Sequence, residues 1–110
     1  TQAKTLFPYT TLFRSRAPFD ALTEIVDAVG GQIEIICDGG VRRGTHALKA
    51  VCAGATAASG GRLYLYALAA AGEAGVERAV GILKDEIERG MKLMGVRSVA
   101  ELTPDRLRWR

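Results

Sequence analysis

A glycine turn followed by arginines lies between a β-branched segment and a helical pattern. Ile33–Ile36 leads directly into the run Cys37-Asp38-Gly39-Gly40-Val41-Arg42-Arg43-Gly44. A second pair, Gly61-Arg62, follows the next strand signal. Glycines let backbone N–H groups approach an anion closely, and a guanidinium matches the geometry of phosphate oxygens. The order of strand, glycine turn, arginine and helix therefore predicts a phosphate site in a parallel α/β protein.

The residues of this predicted site have different expected roles. The backbone N–H groups of both turns, with the side chains of Arg42 and Arg62, are expected to hold the phosphate. Asp38, at the strand end, either belongs to the site or only stabilises the turn. Arg43 is expected to face the other way, exposed or paired with an acid. His46, the only histidine, is expected at a solvated position in the first turn of the next helix.

The periodicity of apolar residues predicts the elements that position the two turns. In chain order they are a helix capped by Asp20, a strand Ile33–Cys37, a helix capped by Thr45 and ended by Gly54, a weak strand Ala55–Ser59, and two helices, Leu63–Ala71 and Val76–Met94, with a break marked by Gly72 and Gly75. These elements form two consecutive β/α units of a parallel sheet. Two such strands leave open edges, and a TIM-type (β/α)8 barrel typically needs ~250 residues. We therefore expect the last two β/α units of such a barrel, whose phosphate sites often follow strands seven and eight.

Composition excludes several function classes. The chain has 110 residues, of which 48% are hydrophobic and 25% charged, as in a globular domain. The net charge is +3, and because the basic residues form no dense patch, nucleic acid is not an expected partner. Cys37 and Cys52 lack metal-ligand spacing, which predicts buried thiols and no metal. The sequence has no apolar run of the ~20 residues that span a bilayer, and we expect a cytoplasmic location.

The first sixteen residues differ in character from the rest. They contain phenylalanines, one proline and several threonines without a period of two or 3.6. We expect residues 1–16 to be a non-native segment and residues 17–110 to be the C-terminal portion of a barrel domain.

The sequence resembles the C-terminal part of the FMN-dependent 2-hydroxy-acid dehydrogenases and oxidases. This family includes lactate dehydrogenase, glycolate oxidase and mandelate dehydrogenase. The resemblance runs from about Ala17 to Leu107, and the segments that carry it are Ile25–Gly31, Asp38–Thr45, Leu48–Ala50, Gly54-Ala55, Gly61-Arg62, Tyr64, Tyr66–Ala70 and Gly72–Gly95.

The resemblance implies a β/α barrel that binds FMN at its mouth and oxidises a small 2-hydroxy acid to a 2-oxo acid. It implies a homo-oligomeric parent enzyme, and it places the FMN phosphate against Asp38, Gly39, Gly40, Val41, Arg42, Gly61 and Arg62. The family's catalytic histidine belongs to a His-Gly-Gly-Arg-like motif that lies before the position of Ala17. Residues 1–16 stand there and contain no histidine, so no catalytic residue is assigned and the chain alone is expected to be inactive.

Two other functions agree with the glycine turns. One is a different phosphate-binding barrel, such as an inosine monophosphate dehydrogenase or a type 2 isopentenyl diphosphate isomerase, although the segment Tyr66–Val76 favours the hydroxy-acid family. The other is a non-enzymatic, anion-binding or dimerising α/β module whose apolar strand faces are covered by a partner.

The second predicted strand departs from the family's pattern. Ala58-Ser59-Gly60 stand where the family has bulky apolar residues, which predicts weak packing of this strand.

Overall fold

Two short parallel strands and three helices form the structure, a computed structural model that describes residues 16–109. The elements are α1 (Pro18–Val29), β1 (Ile36–Asp38), α2 (Gly44–Cys52), β2 (Ala57–Ser59) and α3 (Arg62–Met94), followed by the 3-10 turns Val99–Glu101 and Pro104–Arg106. The prediction of two β/α units is confirmed. The expected non-native segment, residues 1–16, lies outside the described residues except for Arg16.

Both strands are shorter than the sequence predicts. The ladder pairs Ile36 with Ala57, Cys37 with Ala58 and Asp38 with Ser59. Just before the ladder, the N–H of Ile35 donates to the Thr56 hydroxyl oxygen at 3.0 Å instead of to a backbone carbonyl. The Ile35 carbonyl accepts from the backbone N–H groups of Thr56 and Ala57, and the ladder beyond it covers three residues on each strand.

Two predicted helix caps are wrong. Helix α1 begins at Pro18, with Ala17 as the cap residue, and no side chain bonds the cap. Proline suits the first helical position because its missing N–H has no partner there, and Asp20 lies in the first turn instead. Helix α2 begins at Gly44 after Arg43, two residues earlier than a Thr45 cap would place its start. At this start, the N–H of Gly44 donates a hydrogen bond to the Glu86 side chain of α3.

Helix α3 bends once, at Ala71 and Gly72. Gly72 has φ 60° and ψ −141°, and this non-helical conformation separates two helical runs. The break predicted at Gly72 is therefore present. Gly75 lies inside the second run and does not break it. Within residues 16–109, no helix has the length and apolar content needed to cross a bilayer.

Two small apolar clusters hold the elements together. The first lies between α1, the strands and α2, and consists of Leu22, Ile35, Cys37, Ala50, Ala53 and Ala55. The second joins α2 to the end of α3 and the C-terminal turns, and consists of Leu48, Cys52, Val96 and Leu102. The opposite side of β1 has no such cover among the described residues, since Ile36 is 65% exposed. A parallel strand is usually buried on both faces, so this sheet is an open one.

Candidate phosphate site

The carboxyl ends of the two strands lie side by side, because Asp38 pairs in register with Ser59. The first turn, residues 39–43, leaves from β1, and the second, Gly60-Gly61, leaves from β2. The two turns also approach each other. A Cβ atom added to Gly60 would lie 3.2 Å from the carbonyl oxygen of Val41. The two glycine turns that the sequence predicts as one site are therefore neighbours in the fold.

A cavity of about 800 Å³ lies at this edge of the sheet. Its lining includes all seven residues predicted from the sequence, namely Asp38, Gly39, Gly40, Val41, Arg42, Gly61 and Arg62. Seven further described residues also line it: Ala17, Pro18, Phe19, Cys37, His46, Lys49 and Ala50. Val41 is buried, at 8% exposure, which fixes the turn to the body of the fold. The structure thus brings the predicted residues of both turns to one concave surface.

The backbone of the first turn needs glycine at two consecutive positions. Gly39 has φ 106° and Gly40 has φ 74°, conformations that other residues rarely adopt. A Cβ atom on Gly39 would also lie 2.8 Å from the Cγ atom of Pro18. At Gly40 and Gly61, in contrast, an added Cβ would meet no atom within 4 Å. Two glycines therefore leave open space in front of the backbone, on the cavity side.

The N–H groups at these open positions are free to bind an anion. Across residues 16–109, neither Gly40 nor Gly61 donates a backbone hydrogen bond to another described residue. Both glycines are exposed and line the cavity. Gly61 also precedes α3, whose N-terminus carries a partial positive charge. These donors fit a phosphate group, which binds well to converging backbone N–H groups at a helix N-terminus.

The tandem arginines point in different directions, as the sequence predicts. Arg42 lines the cavity. Arg43 instead forms an ion pair with Glu86 on α3, with its Nη2 atom 2.6 Å from Oε1. Among the described residues that line the cavity, Arg42, Arg62 and Lys49 provide three cations against the one carboxylate of Asp38. This excess of positive charge favours a doubly charged anion.

The roles of His46 and Lys49 were not predicted from the sequence. His46 is half-buried rather than fully solvated, lines the cavity, and its Nδ1 accepts a hydrogen bond from the N–H of Arg42 at 3.1 Å. His46 is the third residue of α2, and its side chain reaches back to the residue before the cap residue Arg43. Lys49 lies one turn further along the same helix. The sequence contained no local signal that linked His46, Lys49 or α1 to this cavity.

Both cysteines are free and buried, as predicted. Cys37 lines the cavity, and burial raises the pKa of its thiol, with the nearby Asp38 charge as a second cause. The thiol therefore keeps its proton at neutral pH, and Cys37 lacks the lowered pKa of a nucleophilic cysteine.

Comparison with known proteins decides the family. A model of the family described as FMN-dependent dehydrogenase matches residues 11–109. The chain belongs to this family. L-lactate dehydrogenase (cytochrome) of Saccharomyces cerevisiae is 49% identical over 98 residues, which are 84% of this chain and 17% of that protein. 2-Hydroxyacid oxidase 2 of Mus musculus is 49% identical over 89 residues, which are 81% of this chain and 25% of that protein.

Solved structures of the family agree with the fold. The recombinant flavin-binding domain of baker's yeast flavocytochrome b2 superposes with a TM-score of 0.77 at 50% identity, over 83% of this chain and 24% of that chain. A mandelate oxidase variant gives a TM-score of 0.72 at 42% identity, over 76% of this chain and 26% of that one. The expectation of a partial TIM-type barrel is confirmed. The chain spans about a sixth of the length of the yeast dehydrogenase and a quarter of the length of the mouse oxidase.

Proposed function

We propose that this chain supplies the phosphate-binding part of an FMN-dependent (S)-2-hydroxy-acid oxidoreductase. The carrying observation is that the seven residues predicted from the sequence line one cavity, with open space where a Cβ atom of Gly40 or Gly61 would lie. In this proposal, residues 17–110 are the C-terminal portion of the enzyme domain. The enzyme converts a small 2-hydroxy acid to a 2-oxo acid, and the parent is a homo-oligomer.

Each residue of the cavity has a proposed task in holding the cofactor. The N–H groups of Gly40 and Gly61 donate to the phosphate oxygens, and the guanidinium groups of Arg42 and Arg62 neutralise their charge. Asp38 accepts from a ribityl hydroxyl at the end of β1. When FMN is bound, its flavin accepts the hydride equivalent from the substrate's α-carbon. The chain's own contribution is to fix the phosphate end of the cofactor.

The chain alone is proposed to lack turnover. It contains a single histidine, His46, and the Nδ1 atom of that residue is already bonded to the turn. Apolar side chains in and just before β1 are also exposed where a complete barrel would cover them, with Ile36 at 65% and Ile33 at 61%. We propose a cytoplasmic location, which the two buried free thiols support.

Binding of FMN and riboflavin by the full chain tests this function. Riboflavin lacks the phosphate, so the ratio of the two dissociation constants isolates the phosphate contribution. Flavin fluorescence titration is expected to show FMN binding more tightly by roughly one order of magnitude or more, since hydrogen bonds to charged groups contribute about 1.5–3 kcal/mol each. Equal affinities for FMN and riboflavin would overturn the proposal.

Matched arginine variants make the test specific. Arg42→Gln and Arg62→Gln are expected to weaken FMN binding and to leave riboflavin binding nearly unchanged. Arg78→Gln is the control, because Arg78 is exposed on α3 and does not line the cavity. This substitution removes the same charge as the other two. If Arg78→Gln weakened FMN binding as much as the other two variants, the effect would be one of net charge and the assigned site would be wrong.

A further inference from the structure

Glu86 on α3 contacts the start of α2, directly behind the phosphate turn. Its Oε2 atom accepts a hydrogen bond from the N–H of Gly44 at 2.7 Å. Its Oε1 atom accepts from Nε of Arg43 at 2.8 Å. The Glu86 side chain is 16% exposed, whereas that of Arg43 is 67% exposed, so the bond to Gly44 is the better shielded of the two. An acid at a helix N-terminus also interacts favourably with the helix dipole.

The two helices meet at this point because residue 44 is glycine. A Cβ atom on Gly44 would lie 2.5 Å from the Cβ of Glu86 and 2.7 Å from the backbone nitrogen of Ile87. Any side chain at position 44 would force the helices apart and break the bond to Glu86. Arg43, Gly44 and Glu86 therefore form one unit, which we name the Glu86 clamp.

We propose that Glu86 is a positioning residue for the phosphate turn, a role that rests on the function proposed above. The Glu86 clamp holds Arg43 and Gly44 on the α3 side of the chain. Arg42, the preceding residue, then lies on the cavity side, and the direction of the backbone from Gly40 to Gly44 is fixed at its far end. Glu86 does not line the cavity and acts only through Arg43 and Gly44.

The clamp also assigns separate tasks to two adjacent arginines. Two free guanidinium groups side by side would compete for one anion and would sample several orientations. The carboxylate of Glu86 binds one of them, so that Arg42 alone faces the ligand. Pre-ordering of this kind lowers the entropy that binding must spend on fixing the site.

Substitutions at Glu86, measured in the full chain with FMN and riboflavin as probes, test the inference. Glu86→Ala removes both bonds and is expected to lower the FMN-to-riboflavin affinity ratio by roughly three- to tenfold, the range for one or two ordinary hydrogen bonds. Glu86→Gln keeps an acceptor for Gly44 but loses the charge opposite Arg43, and is expected to have a smaller effect. Glu88→Gln, exposed on the same helix, is the control and is expected to leave the ratio unchanged.

A purely structural role gives a different result. Loss of general stability would weaken FMN and riboflavin binding equally, whereas loss of positioning lowers FMN binding alone. If the unsubstituted chain prefers FMN and Glu86→Ala keeps that preference within twofold, the inference is overturned while the proposed function stands. If the unsubstituted chain shows no preference, the proposed function has failed first. If circular dichroism shows that Glu86→Ala is unfolded, Glu86→Gln decides, and an unchanged ratio in that variant overturns the inference.

Discussion

The Nδ1 atom of His46 accepts a hydrogen bond from the backbone N–H of Arg42 at 3.1 Å. This bond occupies an N–H group that would otherwise be free at the centre of the glycine turn. Among the described residues of the first turn, this is the backbone N–H that has an acceptor, and the N–H of Gly40 is left open. His46 thus removes one backbone donor from those that a ligand could use, although it was expected only as a solvated helical residue.

The tautomer of His46 follows from this bond. An Nδ1 atom that accepts a hydrogen bond carries no proton, so the neutral ring must carry its proton on Nε2. We expect a long-range nitrogen–proton NMR spectrum at pH 8 to show the Nε2–H tautomer as the main form. In His46→Ala, the Arg42 amide loses its partner and should exchange faster with solvent. A predominant Nδ1–H tautomer would contradict the bond.

Gly60 and Gly61 are adjacent but are expected to respond differently to substitution. Gly61→Ala places a methyl group where no atom lies within 4 Å, and the φ of −93° at Gly61 is normal for alanine. We expect stability within about 0.5 kcal/mol of the unsubstituted chain and clearly weaker FMN binding, because the methyl group projects into the open space in front of Gly61.

Gly60→Val is the matched comparison for Gly61→Ala. A Cβ at position 60 would lie 3.2 Å from the Val41 carbonyl oxygen, so the larger side chain must push the two turns apart. We expect lower stability by about 1–3 kcal/mol, the cost of overpacking, as well as weaker FMN binding. Urea unfolding and fluorescence titration measure the two effects. Equal stability loss in both variants would show that the space at Gly61 is not open.

The packing of α1 against the sheet should supply much of the chain's stability. Leu22 is 2% exposed and belongs to the cluster between α1 and the strands. We expect Leu22→Ala to lower the free energy of unfolding by about 2–5 kcal/mol, measured by urea titration. Ile36→Thr is the control, because Ile36 is 65% exposed and the change keeps β-branching. A large loss at Ile36 would mean that its side of the sheet is covered in solution.

The sequence predicted the order of the elements better than their ends. Apolar periodicity and glycines were sufficient for two β/α units and for the break at Gly72. The start of α2 depends on the contact between Gly44 and Glu86, which are 42 residues apart, and no local signal predicts such a contact. The wall formed by Pro18 and Phe19 was missed for the same reason, because it comes from an element distant in sequence. The site residues in the glycine turns were predictable, because glycines directly after a strand signal indicate a turn without any distant contact.

The two thiols are expected to react slowly while the chain is folded. Burial is the main cause that raises the pKa of Cys37 and of Cys52. Iodoacetamide at pH 8 should therefore modify both cysteines at least roughly tenfold more slowly in the folded chain than in denaturant, because the thiolate is the reactive form. A raised folded pKa also means that stability declines as pH rises above the unfolded value of about 8.5. Fast labelling of either thiol without denaturant would show that its cluster opens readily.

Acid should weaken the Glu86 clamp. The side-chain hydrogen bond from Arg43, and then the backbone bond from Gly44, hold the pKa of Glu86 below its usual range. Because the folded pKa is the lower one, the stabilisation is fully present above the unfolded value of about 4.3 and is lost as pH falls through the folded value.

We expect urea midpoints to fall more steeply below pH ~4.3 in the unsubstituted chain than in Glu86→Gln, which has no proton to gain. Glu88→Gln should follow the unsubstituted chain, since Glu88 is exposed. Identical acid dependence in all three chains would mean that the carboxylate of Glu86 contributes nothing to the folded state, and the positioning role of the clamp would then lack its physical basis.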